Sequence, residues 1–149
     1  MKRIALFLLA MAGLSLAACA PHAPDPDRFA VKFFEHGRDS ILDTLKDQKV
    51  AEPQLKAATD VLDRFQKEAE HNMAVAFRAE QNLMLGLTSG RDSAALLKLD
   101  EEQNRAQEQA LRTIGQMHEE LASAVGSEAW KQASVKLEER YSRYFKPRE

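Results

Sequence analysis

The chain is expected to fold as an all-α domain: an elongated antiparallel helical hairpin with two flanking helices, about four helices in all. Three observations predict it. Beyond residue 27, Ala, Leu, Glu, Gln, Lys and Arg dominate and β-branched residues are few, a composition of strong helix formers. No stretch alternates apolar and polar residues with the period of two that a half-buried strand requires. Apolar residues instead recur at steps of three and four and leave charged faces opposite them.

The N-terminal residues stand apart from this pattern. Lys2 and Arg3 form a positive start, Ile4 to Leu16 an apolar run too short for a comfortable membrane span, and Ala17 and Ala18 the small residues a signal peptidase needs. The only cysteine, Cys19, follows directly. The segment Leu16-Ala17-Ala18-Cys19 resembles the lipobox of bacterial lipoproteins. That resemblance implies a signal peptide over residues 1–18, cleavage before Cys19, a diacylglycerol on its sulfur and acylation of the new N-terminus. With each buried chain carbon contributing about 0.8 kcal/mol, two or three acyl chains hold a small domain at a membrane. Ala20 stands where the sorting rule of that family reads a residue other than Asp as favouring the periplasmic face of the outer membrane. No other stretch is long and apolar enough to span a bilayer.

Residues 19–149 suffice for one domain with a modest core. Without Lys2 and Arg3 the formal net charge moves from -2 to about -4. Nothing in that balance suggests nucleic acid. An envelope location is oxidising, yet the chain has no cysteine pair, so its stability must come from packing.

Taken in order, residues 19–27 read as the lipidated cysteine and a tether stiffened by Pro21, Pro24 and Pro26, and residues 28–149 as the helical domain. A first helix is expected from about Asp27 to Gln48, with Phe33, Phe34, Ile41, Leu42 and Leu45 on its apolar side and Gly37 weakening its middle. Pro53 suits the first turn of a second helix running to about Leu87. Gly86, Thr88, Ser89 and Gly90 break its pattern, and Ser89 with Asp92 has the spacing of a capping box. A third helix follows from about Asp92 to Val125, its stripe running from Leu99 through Ala106, Ala110, Ile114, Met117 and Leu121. Gly126 stops it, Ser127 can cap a fourth helix carrying Trp130, Leu137, Tyr141, Tyr144 and Phe145, and Pro147 ends that one. The two central helices would each reach about 50 Å at 1.5 Å per residue.

Two segments, Val50-Ala51-Glu52-Pro53-Gln54 and Val125-Gly126-Ser127-Glu128-Ala129, precede the second and fourth helices. In this arrangement the domain resembles the Spy/CpxP family of periplasmic stress chaperones and metal sensors, which carry a Leu-Thr-x-x-Gln motif twice, each time before a helix, with a helical hairpin between. The first segment keeps an aliphatic residue and Gln54; the second keeps the aliphatic residue but has Ala129 in place of Gln. Leu87 to Asp92 stands where the family has its hairpin turn, and Lys136 to Arg140 resembles its closing helix. The resemblance spans residues 40 to 142. It implies a dimeric helical cradle that shields unfolding envelope proteins, or an adaptor that restrains a signalling partner.

The residues themselves permit a contact function. A thin hairpin cannot cover both sides of its helices, so Met73, Phe77, Met84 and Leu85 are expected either as core, as a homodimer interface, or as a surface for a protein client or one dedicated envelope partner. Methionine suits varied partners because its side chain is flexible and polarisable. A periplasmic heavy-metal sensor is a further alternative. However, His36, His71 and His118 form no H-x-x-x-H pair, and a hairpin folded about residue 89 puts His71 opposite position 107, some 16 Å along the axis from His118. No metal site and no cofactor are therefore expected. Enzymatic activity is not expected either: no nucleophile elbow, Gly-rich phosphate loop or H-E-x-x-H is present, and paired glutamates such as Glu101 and Glu102 sit among basic residues on polar faces.

Overall fold

A computed structural model describes residues 24–142; Cys19, residues 1–18 that are expected to be a signal peptide, and Tyr144, Phe145 and Pro147 lie outside the described residues. The domain is an elongated all-α bundle of four helices: α1 (Pro26–Asp47), α2 (Glu52–Thr88), α3 (Ser93–Val125) and α4 (Ser127–Ser142). A long α2–α3 hairpin forms its frame.

Local chemistry sets each boundary. Asp25 caps α1, its Oδ1 accepting from the backbone N–H groups of Asp27 (2.9 Å) and Arg28 (3.3 Å), and Pro26 fills a first-turn position where its missing N–H costs nothing. The tether thus ends at Asp25, two residues short of the expected boundary. Gly37 does not interrupt the helix. At the other end Lys49 takes a left-handed conformation (φ 55°), so that Val50 N–H donates to Leu45 O (3.2 Å) and Lys49 N–H to Lys46 O (2.8 Å). This is a Schellman closure with Lys where Gly is usual.

The α2–α3 turn repeats the device with Gly90 (φ 70°) and Arg91 N–H donating to Gly86 O (3.2 Å). Asp92, not Ser89, caps α3: its Oδ1 accepts from Ala95 N–H (2.8 Å), whereas the Ser89 hydroxyl donates back to Gly86 O (3.2 Å). The expected Ser89–Asp92 capping box therefore does not form, because Ser89 still belongs to the end of α2. Only Gly126 (φ 91°) separates α3 from α4. Its carbonyl accepts from Trp130 N–H (3.0 Å), which makes Gly126 rather than Ser127 the residue that starts α4.

A polar relay centred on the buried Thr113, with Asn72 half-buried and Glu68 exposed, marks the register of the hairpin. Asn72 Nδ2 donates to Thr113 Oγ1 (2.9 Å) and Thr113 Oγ1 donates to Glu68 Oε1 (3.1 Å), while Arg64 pairs with Glu120. These pairs place His71 opposite about position 113, not 107. The stripe of α3 shifts accordingly: Thr113 is buried and Ile114 only half-buried.

The core lies toward the end of the hairpin where all four helices meet, hereafter the base. Leu45, Leu62, Leu121 and Val125 are its most deeply buried large residues. Helix α1 runs antiparallel along α2, held by Arg38–Asp63 (2.6 Å) and Arg78–Asp27 (2.9 Å) and by Gln81 Nε2 donating to Pro24 O (3.0 Å). Exposed ion pairs of this kind contribute little each; the apolar seam beneath them supplies most of the stability. Helix α4 packs back on α3 and α1, with Trp130, Ala133 and Leu137 in the core.

Two substitutions test this account in urea unfolding. Thr113→Val leaves the half-buried Asn72 amide without its partner, while the exposed Glu68 stays solvated, and should cost about 1 kcal/mol. Lys49→Gly removes the left-handed penalty and should stabilise by about 1 kcal/mol. A neutral result for both would mean that neither the relay nor the closure matters to stability.

Candidate interaction surface

Helix α1 has 22 residues and α4 has 16, against 37 in α2 and 33 in α3. Because Pro24 meets Gln81, α1 leaves the last turns of α2 uncovered, and α4 covers only the C-terminal part of α3. Residues 82–99 therefore form a tip that is two helices thick.

Gly86 lets the two helices close at this tip. It is buried, and a Cβ there would lie 2.8 Å from Leu99 Cδ1 and 3.2 Å from Leu96 Cδ2. With Gly86 turned toward α3, a step of 100° per residue puts Leu85 and Leu87 on the two flanks of α2. They are 62% and 53% exposed, and Leu97 on α3 is 65% exposed. Leu83, Met84, Leu96 and Leu99 are half-buried between them. From Gln81 to Leu99 only Arg91, Asp92 and Lys98 carry charge, whereas Asp100, Glu101 and Glu102 open a charged stretch immediately beyond. Exposed large leucines are ordinary singly; three of them at one charge-poor end of the hairpin make that end the candidate interaction surface.

The four apolar residues singled out above divide between core and tip. Met73 and Phe77 are only 2% and 7% exposed. Helix α1 covers them, with the Phe77 ring edge-on to Phe29 at 4.5 Å, and they offer no surface. Met84 is half-buried and Leu85 exposed. Leu87 and Leu97 belong to the same surface, although sequence reasoning passed over both: Leu87 sits beside the turn residues and Leu97 lies off the apolar stripe. The depletion of charge between Gln81 and Leu99 was the available signal.

The histidines are dispersed. His71 is exposed. His118 packs edge-on against Trp130 at 5.2 Å, and His36 meets Tyr141 at 6.3 Å. The corrected register brings His71 and His118 to within about five residues, roughly 8 Å along the axis, closer than the 16 Å expected. Even so, no group of three or more His, Cys, Asp or Glu that could hold a metal ion occurs among the described residues. None of the helices described is long and apolar enough to cross a membrane.

The two motif-like segments meet at the base. Gln54 Nε2 donates to Val125 O (2.9 Å), covering a carbonyl that the end of α3 leaves without a helical partner. Gln48, with its amide nitrogen toward α4, donates to Ala129 O (3.2 Å) and accepts from Ala133 N–H (2.9 Å). Both glutamines join helices and lie far from the tip. No protein-family model, curated protein or solved structure matches the chain.

Burial beside Trp130 pushes the His118 pKa down from its ordinary value near 6.5. A histidine held neutral in the fold is protonated more readily when unfolded, so its contribution is complete above about pH 6.5 and is lost as pH falls through and below that value. Stability should therefore decline on acidification from pH 7 to pH 5, and His118→Phe should flatten that part of the profile. An unchanged slope in the variant would remove His118 from the explanation.

Proposed function

We propose that this chain is a lipid-anchored helical protein of the bacterial envelope, of Spy/CpxP type, that acts by apolar contact as a stress chaperone or adaptor rather than as an enzyme. The observation that carries the contact reading is the tip: Leu85, Leu87 and Leu97, the most exposed large apolar residues described, lie in one charge-poor segment, whereas Val31 and Val135, exposed to a lesser extent, stand apart on α1 and α4. The leucines supply apolar area for a partly unfolded protein, and the neighbouring Met84 adds an adaptable side chain.

Support for the family reading comes from the base. There Gln54, the residue retained from the motif, bonds to Val125 at the start of the second motif-like segment. Anchorage rests on Leu16 to Cys19.

Protein lacking residues 1–19 should suppress aggregation of an unrelated denatured protein at near-stoichiometric ratio. The triple variant Leu85→Ser, Leu87→Ser, Leu97→Ser should lose most of that effect at unchanged melting temperature, since all three positions are exposed. No suppression by the parent protein would sink the chaperone reading. A single dominant adduct on crosslinking in cells would then favour one dedicated envelope partner.

A further inference from the structure

We infer that the hairpin tip is a membrane foot: in the anchored protein Leu85, Leu87 and Leu97 sit in the interfacial layer of the bilayer that holds the lipidated N-terminus, with the base pointing away. This inference rests on the lipid-anchor part of the reading above and competes with the chaperone part for the same three leucines.

The geometry of the chain entering the fold carries it. Pro24 is held at Gln81, which is on the tip side of α2. The end of α2 at Thr88 is about 10 Å further on, whereas Gln54 at the base is about 40 Å the other way. Between Cys19 and Pro24 the chain can span at most about 18 Å even when fully extended. A lipid on Cys19 therefore reaches the level of the tip easily and cannot reach that of the base.

The chemistry at that level matches an interface. Three leucines more than half exposed flank the turn, Arg91 and Lys98 outnumber Asp92, and the Asp92 carboxylate is engaged in capping α3. Small basic and apolar elements of this kind settle at the boundary of headgroups and acyl chains. A short cationic excess also suits anionic phosphatidylglycerol. By contrast, the hairpin below the tip, residues 53–81 and 100–125, carries eleven acidic against six basic side chains, a net negative balance that disfavours lying flat on an anionic surface. A tip seated in lipid is closed to soluble proteins, so client capture by the anchored form would require it to leave the membrane.

The native protein has one tryptophan, Trp130, buried in the core, which serves as an internal control. Full-length lipidated protein is reconstituted into vesicles of phosphatidylethanolamine and phosphatidylglycerol with brominated acyl chains, and its acylation is read by mass spectrometry. Tryptophan is added singly at exposed positions: Leu85→Trp and Leu97→Trp at the tip, Lys131→Trp near the base. The tip variants should show at least about twofold quenching of the added emission, as expected for side chains 5–10 Å into the interface, while Trp130 and Lys131→Trp stay unquenched. Acylated protein with no quenching at the tip would overturn the foot and leave the anchor standing. Equal quenching at Lys131→Trp would mean a flat orientation and overturn it too. A concentration-dependent blue shift of Leu85→Trp without lipid, and no quenching with it, would assign the tip to a second copy of the chain. Absence of any acyl mass on Cys19 would remove both the anchor and the foot.

Discussion

The organisation of this molecule follows from a mismatch of helix lengths. A hairpin built from 37- and 33-residue helices is flanked by helices of 22 and 16 residues. Both shorter helices pack toward one end, because the links joining them to the hairpin, residues 48–51 and Gly126, are at that end. Four helices there enclose a core deep enough to bury Leu45, Leu62 and Leu121 completely or nearly so. At the opposite end two helices have only each other, and a pair of helices cannot bury more than one face of each. The exposed leucines are thus a consequence of where the chain stops covering itself.

A frame this thin needs its register set by something more directional than leucine contacts, which tolerate sliding between neighbouring turns. The relay of Asn72, Thr113 and Glu68 supplies it near the middle, and the Gln54–Val125 bond supplies it at the base. Thr113 is buried and Asn72 and Gln54 are half-buried, so leaving these groups unpaired in a slipped hairpin costs more than the bonds themselves are worth. Gly86 performs the complementary task near the tip: without a side chain it allows Leu96 and Leu99 to approach the backbone of α2. The tip is closed by contact with little area, which makes it the part of the hairpin most ready to open locally.

Much of this was legible in the sequence. Composition and three-and-four spacing were enough for four helices and their approximate ends, since Pro53, Gly90 and Gly126 punctuate the pattern unambiguously. Three things were not legible, each for a physical reason. Lys49 adopts a left-handed turn that only tertiary packing of Val50 and Leu45 makes acceptable, so no glycine advertised it. Gly86 reads as a helix breaker, although it serves as a point of close helix approach inside α2. The assignment of Met73 and Phe77 to the core depends on how far α1 extends along α2. Helical periodicity tells which face is apolar but not which neighbour covers it. The same gap hid Leu87 and Leu97, which are exposed by the absence of a third helix and not by any local pattern.

The position of Pro24 gives the exposed tip a physical context. An uncovered set of leucines at the end of a freely diffusing rod is a liability, because two such ends can join and exclude water from both. The proposed lipid on Cys19 would attach the rod near that same end and change the competition. On that proposal the lipid surface would always be within reach, at an effective concentration set by a chain of five residues, whereas a second tip would have to arrive by diffusion in the membrane plane. The length of α1 decides this as well: a helix two or three turns shorter along α2 would move Pro24 toward the base by about 10–15 Å and leave the tip free of the surface. On that proposal α1 would have two tasks: it covers the α2 side of the core, as α4 covers the α3 side, and it would place the uncovered end.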